Sequence, residues 1–165
     1  MEIRKAKKED IKEMMEMVEH SREKMRESGN MTQWTNGYPG KKDIEDDIET
    51  GRSHVIEEGG RKVGMFTLAI GIEPTYSVIE GGAWLDDERE YGTIHRLASL
   101  KGTHGVGQAC IDWCGRQIGN LRADTHADNK TMQHILEKNG FKYCGIVWME
   151  DGTPRRAYQR VEERR

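Results

Sequence analysis

His95-Arg96-Leu97-Ala98-Ser99-Leu100-Lys101-Gly102-Thr103-His104-Gly105-Val106-Gly107-Gln108 is the stretch on which the fold turns. Thr93 to Ser99 alternates imperfectly but is compatible with a strand. Beyond the glycines, Val106, Ala109, Cys110 and Trp113 repeat at helical spacing. A strand therefore runs through a glycine-rich turn into a helix. The glycines allow a tight turn and expose backbone N–H groups. The helix N-terminus adds a partial positive charge, and the two together suit a pyrophosphate. The plain alternative is a turn whose glycines serve packing. A P-loop needs Gly-Lys-Ser/Thr at its end, and Gln108-Ala109 fails that requirement. A dinucleotide fingerprint reads Gly-x-Gly-x-x-Gly, whereas Gly102-x-x-Gly105-x-Gly107 has the reverse order. Asp124 lies near the position of that fingerprint's acidic residue, but the glycine order argues against it.

Working outward, Glu2 to Ala6 reads as a short first strand. Ile11, Met14, Met15, Val18 and Met25 make one apolar helical stripe, ended by Gly29-Asn30. Met31 to Gly40 is a loop with two exposed aromatics. A short helix around Ile44 and Ile48 is bounded by Asp43 and Gly51. Ser53–Glu57 and Lys62–Ile72 form a hairpin about Gly59-Gly60. Glu73 to Glu90 is irregular. Leu121–Thr125 is a strand, and Asp128 can cap a helix carrying Met132, Ile135 and Leu136, stopped by Asn139-Gly140. Phe141–Met149 and Arg156–Val161 are final strands around Asp151-Gly152. The order β-α-α-β-β-β-α-β-α-β-β implies an α/β (α+β) domain, with a mixed sheet and helices on both faces. No repeat or linker interrupts it, so residues 1–165 read as a single domain.

Composition narrows the classes. Of the 165 residues, 33% are charged and 35% hydrophobic, a lean apolar content that raises intrinsic disorder. The net charge of only -3 and a Pro count of 3 argue against disorder. The longest apolar runs are far too short to span a bilayer, and no signal peptide is evident. Three cysteines without a Cys-x-x-Cys spacing argue against zinc and fit a reducing cytoplasm. A pI near 6.1 gives no case for nucleic acid. Arg155, Arg156, Arg160, Arg164 and Arg165 read as a strand's exposed face and a frayed tail.

The strand and turn from His95 to Gly107 resemble motif A of the GNAT superfamily of N-acetyltransferases: a strand, Gln/Arg-x-x-Gly-x-Gly/Ala, then a helix. Asn129-Lys130-x-Met132-x-x-Ile135-Leu136-Glu137-Lys138-Asn139-Gly140-Phe141 is similar to the family's motif B. The element order agrees across nearly the whole chain. The resemblance implies a GNAT-like fold, with a central, mostly antiparallel sheet and a splayed strand pair. Two positions depart from the pattern. Gly102 occupies the Gln/Arg slot, where Lys101 is the candidate replacement cation. Leu136 stands where many members carry a tyrosine general acid.

The resemblance also implies an activity: acetyl-CoA-dependent transfer of an acetyl group to a primary amine by direct attack in a ternary complex. Leu97, Ala98 and Ser99 would pair with the pantetheine arm, and a backbone N–H would polarise the thioester carbonyl. N–H groups from His104, Gly105, Val106, Gly107 and Gln108 would hold the pyrophosphate, and Asn129 the pantetheine. No metal is implied. Thr93 falls near the slot of a family glutamate base. His95, on the same strand face, is the candidate base, against the alternative of a hydrogen-bonded structural residue. His126 is a second candidate base. His134 reads as a surface or packing residue. Trp34 and Tyr38, with Glu80 and Trp84, would line the acceptor pocket. Asp86-Asp87-Glu88 either steers a cation or forms a solvated turn. The implied partner is a small-molecule or peptide amine, with no nucleic acid or membrane, and a homodimer stays open. The rival is a non-catalytic acyl-CoA-binding or regulatory module of the same fold.

Overall fold

Antiparallel pairing dominates a seven-stranded sheet, and one parallel contact breaks it. In the computed structural model, which describes residues 1–162, the strands are β1 (Glu2–Lys5), β2 (Ser53–Glu58), β3 (Arg61–Ile70), β4 (Gly92–Ser99), β5 (Asn120–Thr125), β6 (Lys142–Trp148) and β7 (Pro154–Val161). Their spatial order is β1-β2-β3-β4-β5-β7-β6. Only β4 and β5 run parallel. The helices are α1 (Ile11–Glu27), α2 (Lys41–Glu49), α3 (Val106–Gln117) and α4 (Lys130–Lys138). The chain order is the one read from the sequence.

Each face buries its own residues. Under α3 and α4, Phe66, Ile111, Leu121, Leu136 and Tyr158 form one core. On the opposite face the α1 stripe supplies Met14, Met17 and Val18, which meet Ile44, Val55, Met65 and Ala98. That face continues past β5, where segment 73–91 replaces a helix. Tyr76, Trp84 and Tyr91 pack there on Val147 and Ala157. Arg122, which is 1% exposed, lies between the rings of Trp84 (3.9 Å) and Tyr91 (3.8 Å). Such a cation is tolerated inside because aromatic faces and the Asp86 carbonyl (2.9 Å) replace its water.

Three local expectations need correction. Helix α2 begins at Lys41, because the Asp43 carboxylate accepts the Gly40 N–H (2.8 Å) and so closes the first turn instead of preceding it. Helix α4 is capped by Asn129, not Asp128: its Oδ1 accepts the Met132 N–H at 3.1 Å. The β7 arginines are not an exposed face. Arg155 is buried, Arg156 lies over the Tyr143 ring at 4.1 Å, and Arg160 donates to the Asn139 carbonyl. Arg164 and Arg165 lie outside the described residues.

Candidate functional site

The parallel contact between β4 and β5 spans three pairs: Gly92–Leu121, Thr93–Arg122 and Ile94–Ala123. Beyond Ile94 the strands part. Gly92 pins the closed end, since a Cβ there would lie 2.8 Å from Ile118 and 3.0 Å from Leu68. Past the split, β4 stays paired with β3, and Leu100 N–H donates to the Val63 carbonyl (3.0 Å). By alternation the Ser99 N–H faces the gap. Its nearest acceptor is Ser21 Oγ at 3.4 Å.

The gap opens into a cleft of about 120 Å³. Six of the sequence-predicted residues line it together: Leu97, Ala98, Ser99, Val106, Gly107 and Asn129. Gly105, in the left-handed conformation at φ 83°, turns the chain into α3. No side chain caps that helix, and its first bond is Ala109 N–H to the Gly105 carbonyl. The N–H groups of Val106, Gly107 and Gln108 are therefore available at the mouth of the cleft. Lys101 and His104 are exposed on the preceding turn, outside the cleft lining. The Gln108 side chain turns away, donating to Asp112 (3.0 Å) and Asn139 (2.6 Å), so only its backbone serves the mouth. Asn129 caps α4 through its oxygen and donates through Nδ2 to Gln33 (3.1 Å).

Sequence reasoning missed the α1 wall of this cleft, formed by Ser21, Lys24, Met25 and Ser28. Their signal is a polar stripe at i, i+3, i+7 beside Met25. It acquires meaning only once α1 is known to lie against β4. Lys24 adds a cation to the cleft lining itself.

On the α1–α2 face of the split sits His95, whose Nε2 lies 3.8 Å from Glu73 Oε2. The His95 ring, followed by the Thr75 hydroxyl (2.9 Å), holds the Glu73 carboxyl below its usual range against the opposing effect of burial. One step beyond the last strand pair, Asp124 is the β5 counterpart of His95. Asp124 accepts the Tyr76 hydroxyl at 2.6 Å. Burial first, then the Asp124 charge, pushes that hydroxyl's pKa well up, so Tyr76 remains a donor. His126 ends β5's far side. Its Nδ1 accepts the Asp128 N–H (3.0 Å), which leaves the proton on Nε2, 2.8 Å from Thr32 Oγ1. In that tautomer, assigned from the hydrogen bonds, both nitrogens are engaged.

The aromatic and acidic candidates separate. Tyr38 reaches the split, where its hydroxyl meets Arg96 (3.2 Å), and Trp34 is half-buried against the α1 core. Trp84 is instead buried under β6–β7, its Nε1 donating to the Tyr76 carbonyl. Glu80 bridges Ile146 on the outer edge of β6, across β5 and β7 from the split. Asp86 accepts the Glu88 and Arg89 N–H groups, while Asp87 pairs with Arg122 at 3.1 Å. His134 is exposed and Leu136 is fully buried. Among the described residues, no group of three or more His, Cys, Asp or Glu could hold a metal ion, and no helix is long and apolar enough to cross a membrane.

No family model and no curated protein matches the sequence. Solved structures do. A GNAT-family acetyltransferase from Listeria monocytogenes shares the fold at 21% identity and TM-score 0.69, covering 96% of this chain and 93% of its own. A ribosomal-protein-alanine N-acetyltransferase from Brucella melitensis does so at 17% and 0.66, covering 98% and 100%. A GNAT-family acetyltransferase from Streptococcus agalactiae is 35% identical, with TM-score 0.90, covering 99% of this chain and 96% of its own. With that identity along virtually its full length, and a split parallel strand pair opening onto an uncapped helix, the chain belongs to the GNAT family of acetyltransferases.

Proposed function

We propose that the protein transfers an acetyl group from acetyl-CoA to a primary amine within a ternary complex, in the cytoplasm. The observation that carries this reading is the cleft itself. The unpaired edge of β4, the open N-terminus of α3 and Asn129 converge on one slot, and His95 lies on the same strand two residues before Leu97. The edge of Leu97–Ser99 would accept an extended amide-bearing arm as a strand accepts its neighbour. The N–H groups at Val106–Gln108 would take the phosphates, with Lys24 and Lys101 at hand.

His95 would accept the proton that makes the acceptor nitrogen nucleophilic. That nitrogen then bonds to the thioester carbonyl carbon, and an N–H at Leu97 steadies the oxyanion. The C–S bond breaks and the thiolate leaves with a proton. Leu136, fully buried, cannot supply that proton. Hydroxyls or water in the cleft take the role. His126 is disfavoured as the base because both its nitrogens are engaged.

The test is acetyl-CoA turnover on a panel of amines and peptides, followed by thiol release, together with CoA calorimetry. Turnover on an amine is expected. Absence of CoA binding overturns the reading. Tight CoA binding without turnover on any amine selects the non-catalytic module, which the buried Leu136 in the acid slot would explain.

A further inference from the structure

Between His95 and Ala98 the β4 ladder slips. Thr67 pairs with His95 and Met65 with Ala98, so Arg96 and Leu97 together oppose the single residue Phe66. This is a β-bulge, and its first residue sits at φ 52°. That left-handed conformation is ordinarily left to glycine, because a Cβ there crowds the following carbonyl. Some other interaction must hold an arginine in it. The Arg96 guanidinium is ion-paired with Asp47 on α2, lies 3.9 Å from Asp43, and donates to the Tyr38 hydroxyl at 3.2 Å. Its charge also lies 5.4 Å from the Tyr38 ring centre. Asp47 is itself fixed, 8% exposed and accepting the Thr67 hydroxyl at 3.1 Å. Tyr38, by contrast, is 44% exposed on the 31–40 loop.

We infer that Arg96 is a positioning residue whose guanidinium, gripped by Asp47, holds the bulge that sets His95 against Leu97 and ties that bulge to the acceptor loop through Tyr38. The inference rests on the proposed transfer for its kinetic consequence, but the clamp itself can be read without turnover. Loss of the grip lets β4 relax toward an unbulged register. Such a slip moves alternate side chains to the other face, which would carry His95 away from the gap.

The test uses Arg96→Gly, Arg96→Ala and Asp47→Asn in the full chain, each checked by circular dichroism and CoA calorimetry. Hydrogen exchange should rise about tenfold or more in peptides covering 93–99 and 35–40 of Asp47→Asn, with 154–161 unchanged. Unchanged exchange in the first two peptides overturns the clamp, whatever the activity. In turnover, glycine accepts the left-handed φ and alanine does not, so kcat of Arg96→Ala should fall about five- to tenfold below that of Arg96→Gly. Both variants should raise KM for the acceptor. Equal, wild-type kcat in the two variants overturns the positioning role. A wild type that binds no CoA overturns the proposed function alone, because the exchange result still decides the clamp.

Discussion

Helix α3 can approach the sheet because Gly64 has no side chain. A Cβ at Gly64 would lie 2.6 Å from Val106 Cγ1 and 3.2 Å from Cγ2. Carbon atoms are comfortable at about 3.5 Å or more, so a Gly64→Ala variant forces a retreat of about 1 Å. Val106 has little rotational escape, being β-branched and in the first turn of a helix. Overpacking of this kind costs about 1–3 kcal/mol. A loss of about 2 kcal/mol in a chain of this size lowers Tm by about 4–8 °C. The retreating residue also carries one of the N–H groups at the mouth of the cleft, so CoA affinity should weaken in parallel. Shortening the obstacle tests the cause. Val106→Ala alone leaves a small cavity and lowers Tm, yet combined with Gly64→Ala it should restore part of the loss. The double variant is expected to be more stable than additivity predicts by about 1–2 kcal/mol. Thermal melts of the four proteins, with CoA calorimetry, provide the assay. An unchanged Tm in Gly64→Ala, or strict additivity in the double variant, would refute the reasoning.

His95→Gln should lower kcat by about 10²–10⁴ while CoA affinity is retained; a wild-type kcat in steady-state assays removes His95 as the base. His54, 5% exposed between Phe66 and Trp113, has its pKa lowered by burial. The folded state thus prefers neutral His54. Its stabilising contribution is full above the unfolded value of about 6.5, and it is lost as pH falls through the lower folded value. Chemical denaturation between pH 7 and 5 should show this slope in the wild type and a flatter one in His54→Phe. Asp10, 2% exposed, pairs with Arg4 (2.8 Å) and Lys62 (2.8 Å), and its hydrogen bond from Arg4 is the leading cause of a carboxyl pKa far below normal. Asp10→Asn should cost about 3 kcal/mol near neutrality. The difference from wild type should shrink as acid protonates the native carboxylate, well below pH 4, as denaturant melts will report.

The order of elements was legible in the sequence because the periodic signals were strong where packing follows period. The α1 stripe of Met14, Val18 and Met25 is one face of a helix, and Gly59-Gly60 marks a hairpin whatever surrounds it. The cleft residues Leu97–Ser99, Gly107 and Asn129 were legible for a different reason: the glycine turn is a local backbone device, and the resemblance to the family's two motifs singled out the strand before it and the asparagine, whose capping role the sequence reading gave to Asp128 instead. What stayed hidden depends on long-range approach. Lys24 and Ser21 look like ordinary surface until β4 is set beside α1. Trp84 and Glu80 look like pocket residues until segment 73–91 is seen to fold over β6 and β7. Arg122 and Arg155 look exposed by type, and only aromatic rings and carbonyls from distant segments let them be buried. The bulge at Arg96 carries no local signature, because the residue is not glycine and its stabilising partner lies 49 positions away.

The split between β4 and β5 also accounts for where polarity must be satisfied. Strand β4 is paired to β3 from Gly92 to Ser99, and β5 to β7 from Asn120 to Thr125. Each strand therefore has one edge paired along its length, interrupted in β4 by the bulge at Arg96, and one that is bare beyond Ile94 and Ala123. Closing the gap would need β5 to swing away from β7, breaking a complete antiparallel ladder and withdrawing Arg122 from its two rings. Keeping it open leaves backbone groups in a half-enclosed slot, where each must find water or a ligand. The slot is flanked by side chains of α1 and α4, among them Lys24, Met25, Met132 and Ile135. A bare strand edge beside them calls for a ligand that carries amides of its own. That is the physical reason for expecting an amide-bearing thioester carrier in the slot. It also makes a substrate analogue without those amides the sharpest control: it should bind at the α3 N-terminus through its phosphates yet lose the register that brings a thioester to His95.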